Sequence, residues 1–135
     1  MRPLPPDDVF RRLVALRDAL RVDPAAAPRL DELARRAGLS RFHFQRRYKE
    51  AFGMTPLEDI TQLRIARAKT LLASDSASIT DVCLEVGYSS LGSFSTLFAE
   101  RAGCPPSAWR RRYVQVAAAV HDRAAFMIPW CYARG

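Results

Sequence analysis

Cysteine is scarce in this chain, and its scatter excludes more than its number does. Cys83, Cys104 and Cys131 are odd in number and far apart, so they build no disulfide framework of the kind that staples small secreted domains. No pair has metal-ligand spacing and only His43 and His121 are there to help, so a zinc site is not expected. The thiols read as buried or incidental groups in a reducing compartment. A glycine-rich phosphate loop is missing, as are paired carboxylates and any Ser-His-Asp spacing, so the chain offers no catalytic residue and no cofactor is expected. Long apolar runs are missing too. The opening Met-Arg-Pro-Leu-Pro-Pro-Asp-Asp has none for export, and nothing approaches the ~20 residues that span a membrane. The expectation is a cytoplasmic protein.

What is present is positive charge, unevenly placed. The 135 residues suit one compact domain or two very small ones sharing a core, and a hydrophobic content of 49% is enough to fold. The formal charge of +7 and a pI near 10.0 point to an anionic partner, nucleic acid ahead of a membrane surface. Residues 29–74 carry ten Arg or Lys against five acids, whereas residues 75–113 carry four against four. The excess therefore lies in one stretch.

Within that stretch, Leu30, Leu33 and Ala37 recur at helical intervals, Gly38 stands where a helix would stop, and Ser40 stands where the next would be capped. Ala34 is small where two crossing helices must approach closely. The pattern is a helix, a tight turn and a second helix from about Arg41 to Ala51. In that second helix Phe44, Tyr48 and Phe52 share one face, and Phe42, Gln45, Arg46 and Lys49 the opposite one. Arg46 can span O6 and N7 of a guanine, Gln45 can pair with an adenine edge, and Phe42 can touch a thymine methyl. Arg41 and Lys49 are placed to reach phosphates. A basic face also suits a merely solvated helix, and it is the preceding helix and turn that favour DNA reading.

The second half of the chain repeats the first. At a shift of 49, Leu30, Leu33, Ala34, Ala37 and Gly38 become Ile79, Val82, Cys83, Val86 and Gly87; at a shift of 50, Phe44, Tyr48, Gly53 and Pro56 become Phe94, Phe98, Gly103 and Pro106. Core, turn and stop positions recur in the same order. Between the halves, Thr55 caps and Pro56 opens a helix to about Ala73, with Ile60, Leu63, Ala66 or Arg67, Thr70 and Leu71 along one face and a span of roughly 25 Å. The reading is an all-α chain of about seven helices: an N-terminal packing helix and Pro-rich link (1–28), a first helix-turn-helix (29–55), a linker helix (56–74), a second helix-turn-helix with a closing helix (75–113), and an apolar tail (114–135).

The flanks are read more plainly. Asp7 or Asp8 caps a first helix to about Val22, with Val9, Leu13, Leu16 and Leu20 on its buried stripe and Arg11, Arg12 and Arg17 solvated. Pro106 opens a short last helix through Trp109 and Arg112. Pro129 argues against a continuous helix through the tail. The tail either folds back over the domain or forms a contact patch for a second subunit, a regulatory protein or RNA polymerase.

Residues from about Leu30 to Tyr113 resemble the DNA-binding domain of the AraC/XylS family of bacterial transcription regulators. The resemblance is carried by Gly38-Leu-Ser-Arg-Phe-His-Phe-Gln-Arg-Arg-Tyr-Lys, Gly53-Met-Thr-Pro, Arg64-Ile-Ala-Arg-Ala-Lys-Thr-Leu-Leu, Ser78-Ile-Thr-Asp-Val-Cys-Leu-Glu-Val-Gly-Tyr-Ser-Ser, Phe94-Ser-Thr-Leu-Phe and Gly103-Cys-Pro-Pro-Ser-Ala-Trp-Arg. It implies two recognition helices in successive major grooves of double-stranded DNA, roughly 34 Å apart. It also implies base-facing positions at Phe42, Gln45 and Arg46, then at Leu91, Gly92, Ser93 and Thr96. Ser40, Arg41, Arg47 and Lys49, with Ser89 and Ser90, are the expected phosphate contacts.

The second set departs from the amides, and the basic residue at the place of Thr96, that the family usually shows. None of its members forms a bidentate pair worth ~1–3 kcal/mol of discrimination. The first unit is therefore expected to do most of the direct reading. Asp59 departs as well, standing where the family often has an aromatic under the linker helix, and is expected to sit exposed near that helix's N-terminus. The chain looks like the small stand-alone members of the family, without a separate effector-binding domain. The alternative function is a protein-interaction module whose DNA binding is weak or lost and which meets its partner through the apolar tail.

Overall fold

A computed structural model describes the backbone of residues 6–74 and 76–132 and the side chains of residues 8–74 and 76–120. Among the described residues there are seven α-helices and no strand: α1 (Pro6–Val22), α2 (Leu30–Ala37), α3 (Arg41–Phe52), α4 (Pro56–Ala73), α5 (Ile79–Glu85), α6 (Leu91–Ala102) and α7 (Pro106–Tyr132), with a 3-10 turn at Pro24–Ala26. No helix among them is long and apolar enough to cross a membrane.

Local chemistry sets most boundaries. Gly38 ends α2 with a left-handed φ of 71°, which any side chain would make strained. Ser40 then opens α3 by accepting from the His43 amide, and Ser90 opens α6 by accepting from that of Ser93. At Thr55–Glu58 and at Ser78–Asp81 the side chains at both ends of the first turn exchange hydrogen bonds with the opposite backbone amide, satisfying two otherwise unpaired donors at the start of α4 and α5. α1 begins at Pro6, so Asp7 and Asp8 lie inside its first turn and do not cap it. Proline suits that first position because its missing N–H would have no helical partner there.

Two cores are built on one helix. In the first, Val9, Leu13 and Leu20 of α1 pack on Leu33, Ala34 and Ala37 of α2, Phe44 and Tyr48 of α3, and Ile60 of α4. In the second, Ile65, Ala68 and Leu72 of α4 meet Val82, Cys83 and Val86 at α5 and Phe94 and Phe98 of α6. The single stripe expected on α4 is therefore incorrect: Ala66, Arg67 and Thr70 are exposed. A helix that serves two cores in turn must bury one face over its first half and another over its second, so no single stripe runs its length.

Asp59 overturns a second expectation. It is 2% exposed, and its Oδ2 accepts from Tyr48 Oη at 2.6 Å and from Arg17 Nε at 2.8 Å. Arg17 is thus ion-paired and half-buried, with its guanidinium 4.6 Å from the centre of the Phe52 ring, and is not solvated as expected. In the second unit the matching positions hold Phe98 and Trp109, packed edge to face at 6.3 Å. A polar pair in one unit thus takes the place of an apolar pair in the other. Burial first, and then the bond to Asp59, push the Tyr48 phenol well above its ordinary value of 10.0. The unfolded phenol loses its proton near pH 10, whereas the folded one holds it to higher pH. The resulting stability is complete below pH 10 and is lost as the pH rises through the folded value. Thermal melts are therefore expected to fall above pH 10, and to fall less steeply in Tyr48→Phe; parallel curves for the two proteins would refute this.

The end of the chain also differs from expectation. α7 is one helix of 27 residues that includes Pro129, and it is not a short closing helix. Ala117, Ala118 and Ala119 have the highest helix propensity of any residue. Pro129 lies inside the helix, although a proline there forgoes the backbone hydrogen bond to the fourth residue before it. Residues 113–120 stay exposed, so this part of the tail does not fold back over the domain. The side chains of the apolar run 124–132 lie outside the described residues. Trp109 is half-buried against the second core and stacked on Tyr113 at 5.2 Å.

Candidate nucleic-acid interface

The core anchors on α3, Phe44 and Tyr48, are fully buried and turn the opposite side of the helix outward. Phe42 is 70% exposed, an apolar ring held in water. Arg46, Arg47, Arg41 and Lys49 are exposed around it, and Gln45 is half-buried beside them. Ser40 lies at the exposed start of the helix, its Oγ 2.8 Å from His43 Nδ1. Arg46 and Arg47 both lean on Glu50, at 3.3 Å and 3.6 Å, and Arg41 lies 3.7 Å from Asp31. Exposed pairs of this kind are worth ~0.2–1 kcal/mol, so a phosphate or a guanine edge can displace the carboxylate readily. Arg35 and Arg36 of α2 are held differently: both bind Glu32 and keep its carboxyl down at about 2.

α6 turns the same side outward and offers much less. Leu91, Gly92, Ser93 and Thr96 are exposed together, with Ser89 and the capping Ser90 before them. Gly92 leaves a gap in the helix surface, and a shallow hollow opens there between Tyr88, Gly92, Thr96 and Glu100. The Thr96 hydroxyl donates to the Gly92 carbonyl at 3.0 Å, so its proton is already used within the helix. Glu100 adds an acid to this side, and the described residues of α6 supply one base, Arg101, in the last turn. The expected site residues thus fall on the outer sides of two equivalent helices, with Ser40, Ser89 and Ser90 just before them, and that side is charged on α3 and nearly neutral on α6.

Residues 33–112 match the family model described as a helix-turn-helix domain. The chain belongs to the AraC/XylS-type helix-turn-helix family. It is 42% identical over 86 residues to the MmsAB operon regulatory protein of Pseudomonas aeruginosa, covering 64% of this chain and 28% of that protein. It is 32% identical over 94 residues to the RCS-specific transcriptional activator RclR of Escherichia coli, covering 70% of this chain and 33% of that one. It therefore spans about a third of the length of these relatives. Among solved structures, the DNA-binding domain of AdpA in complex with a target DNA superposes with a TM-score of 0.71 at 26% identity, over 76% of this chain and 92% of that one. An AraC-type regulator from Chromobacterium violaceum gives a TM-score of 0.67 at 27% identity, over 81% and 95%. The chain thus carries the DNA-binding domain of a family of transcription regulators, with the all-α fold those structures share.

Two residues with structural roles behind the interface escaped the sequence reading. One is Arg17, whose partner Asp59 lies 42 residues away. The other is Arg64, which donates to the carbonyls of Pro24 and Ala25. The comparison of repeats held a signal for the first, since Tyr48 with Asp59 stands where Phe98 with Trp109 stands. Backbone carbonyls leave no trace in a sequence, so nothing signalled the second.

Proposed function

We propose that this chain is a sequence-specific, double-stranded-DNA-binding transcription regulator that lays α3 and α6 in successive major grooves and reads bases mainly through α3. The observation that supports this reading is the outer side of α3, where an exposed aromatic, an amide and an arginine lie together in a ring of phosphate-reaching cations. Phe42, Gln45 and Arg46 take the base edges; Ser40, Arg41, Arg47 and Lys49 take the flanking phosphates. On α6, Leu91, Gly92, Ser93 and Thr96 follow the groove by shape and apolar contact, with Ser89 and Ser90 at the backbone.

The test is selection of bound duplexes from a random library at near-physiological salt, followed by affinity measurements across a salt series. The expected motif is strong in one half and faint one helical turn away. Three cations on phosphates predict a log-log salt slope of about −3. No enrichment, together with binding indifferent to salt, would favour the protein-interaction module instead. Its contact surface would include the exposed Val114, Val116 and Val120 of α7.

A further inference from the structure

Arg64 sits on α4 where the helix passes from the first core to the second. Its Nε donates to the Pro24 carbonyl at 2.9 Å and its Nη2 to the Ala25 carbonyl at 3.3 Å. The same guanidinium lies 5.3 Å from the centre of the Tyr88 ring. Arg64 thus joins the turn at Pro24–Ala26, which follows directly on α1 of the first unit, to the turn that precedes α6 in the second.

The fit at this junction is close. At Gly87 a Cβ would come within 2.9 Å of the Ala25 carbonyl oxygen and 3.2 Å of Arg64 Cζ, and the φ of +99° there is itself unsuited to a side chain. Tyr88 continues the link, its ring 5.7 Å from that of Phe94 on α6. The Asp23 side chain caps the 3-10 turn at its other end, and Pro24 is buried beneath it. Beside the linker helix, then, a second connection runs from α1 through the turn, Arg64, Gly87 and Tyr88 to the recognition helix α6.

We propose that Arg64 is a positioning residue for DNA recognition: by tying the 3-10 turn to the Gly87–Tyr88 turn it holds α6 at a fixed angle to α3, and so sets the spacing between half-sites that the chain accepts. This rests on the reading that both units meet DNA. A helix pair joined by α4 alone can bend and twist about it, whereas a pair joined at two places cannot. One base pair added between half-sites moves the second by ~3.4 Å and turns it by ~34°. A rigid pair cannot follow that displacement, and the benefit of engaging two sites at once is then lost.

The experiment compares wild type with Arg64→Ala and with Arg64→Lys, which keeps the charge but has no planar fork to bridge two carbonyls. Affinities are measured for the selected duplex, for duplexes with one base pair inserted or removed between the halves, and for the first half-site alone. In parallel, without DNA, the distance distribution between spin labels on unnatural residues at Glu50 of α3 and Glu100 of α6 is recorded. Wild type is expected to lose about tenfold or more on a one-base-pair change and to show a narrow distribution. The variants are expected to keep their half-site affinity, to show a flattened spacing profile and to give a broadened distribution. A wild-type spacing profile and width in both variants would overturn the proposal, as would an equal loss at every spacing, which marks a merely structural role. Sequence-indifferent binding by the wild type would instead overturn the DNA reading beneath it, and in that case unchanged label distances would reject the clamp as well.

Discussion

Replacing Asp59 by alanine is expected to destabilise the domain by about 3 kcal/mol, at the lower end of the range for breaking a buried ion pair because Arg17 keeps some contact with water. One carboxylate oxygen accepts from both Tyr48 and Arg17. Its loss leaves a buried phenol and a half-buried guanidinium without their carboxylate, and neither regains full hydration. Urea unfolding gives the number directly, provided the slope with denaturant is unchanged. The triple variant Arg17→Met, Tyr48→Phe, Asp59→Leu is expected to recover most of the loss, because an apolar set of similar volume removes the need for a partner. The second unit already works this way, with Phe98 against Trp109. A loss below ~1 kcal/mol in Asp59→Ala would show that water reaches the pair and that α1 is held by its apolar stripe alone.

Arg46→Ala is expected to weaken specific binding by roughly 10- to 100-fold, the ~1–3 kcal/mol of one bidentate contact with a guanine. The effect should be confined to one base pair: the variant loses its preference there, while binding to duplexes already changed at that position hardly alters. Lys49→Ala, by contrast, should weaken all duplexes alike and make the salt slope shallower by about 1. Thr96→Ala should change affinity by less than about threefold, since the hydroxyl proton is already given to the Gly92 carbonyl. Anisotropy titrations on the selected duplex and its single-base variants measure all three. Equal losses for Arg46→Ala and Thr96→Ala would end the idea that the first unit does most of the reading.

Much of the fold was legible because its determinants are local. Gly38, Ser40, Thr55 and Ser78 act on backbone groups within a few residues of themselves, and the buried aromatics Phe44, Tyr48, Phe94 and Phe98 recur at a fixed offset. The outer side of α3 was legible for the same reason, since burying Phe44 and Tyr48 dictates where Phe42 and Arg46 must point. Asp59 was misread because its neighbours in the sequence mark only the start of a helix. The groups that bury it come from α1 and α3. The course of α7 was misread because the weight given to Pro129 hid the helix propensity of Ala117, Ala118 and Ala119 before it.

Helices α1 to α6, their order, the twofold repeat and the charged outer side of α3 follow from the sequence alone, as consequences of hydrogen bonds and side-chain periods that act over one or two turns. Only the tertiary structure decided which charges are buried and paired, which face of α4 serves which core, and how Arg64 ties the first unit to the second. The ion pair of Arg17 with Asp59 and the bonds of Arg64 depend on groups 39 to 42 residues apart meeting at hydrogen-bond distance, and no local preference of the chain encodes such a meeting.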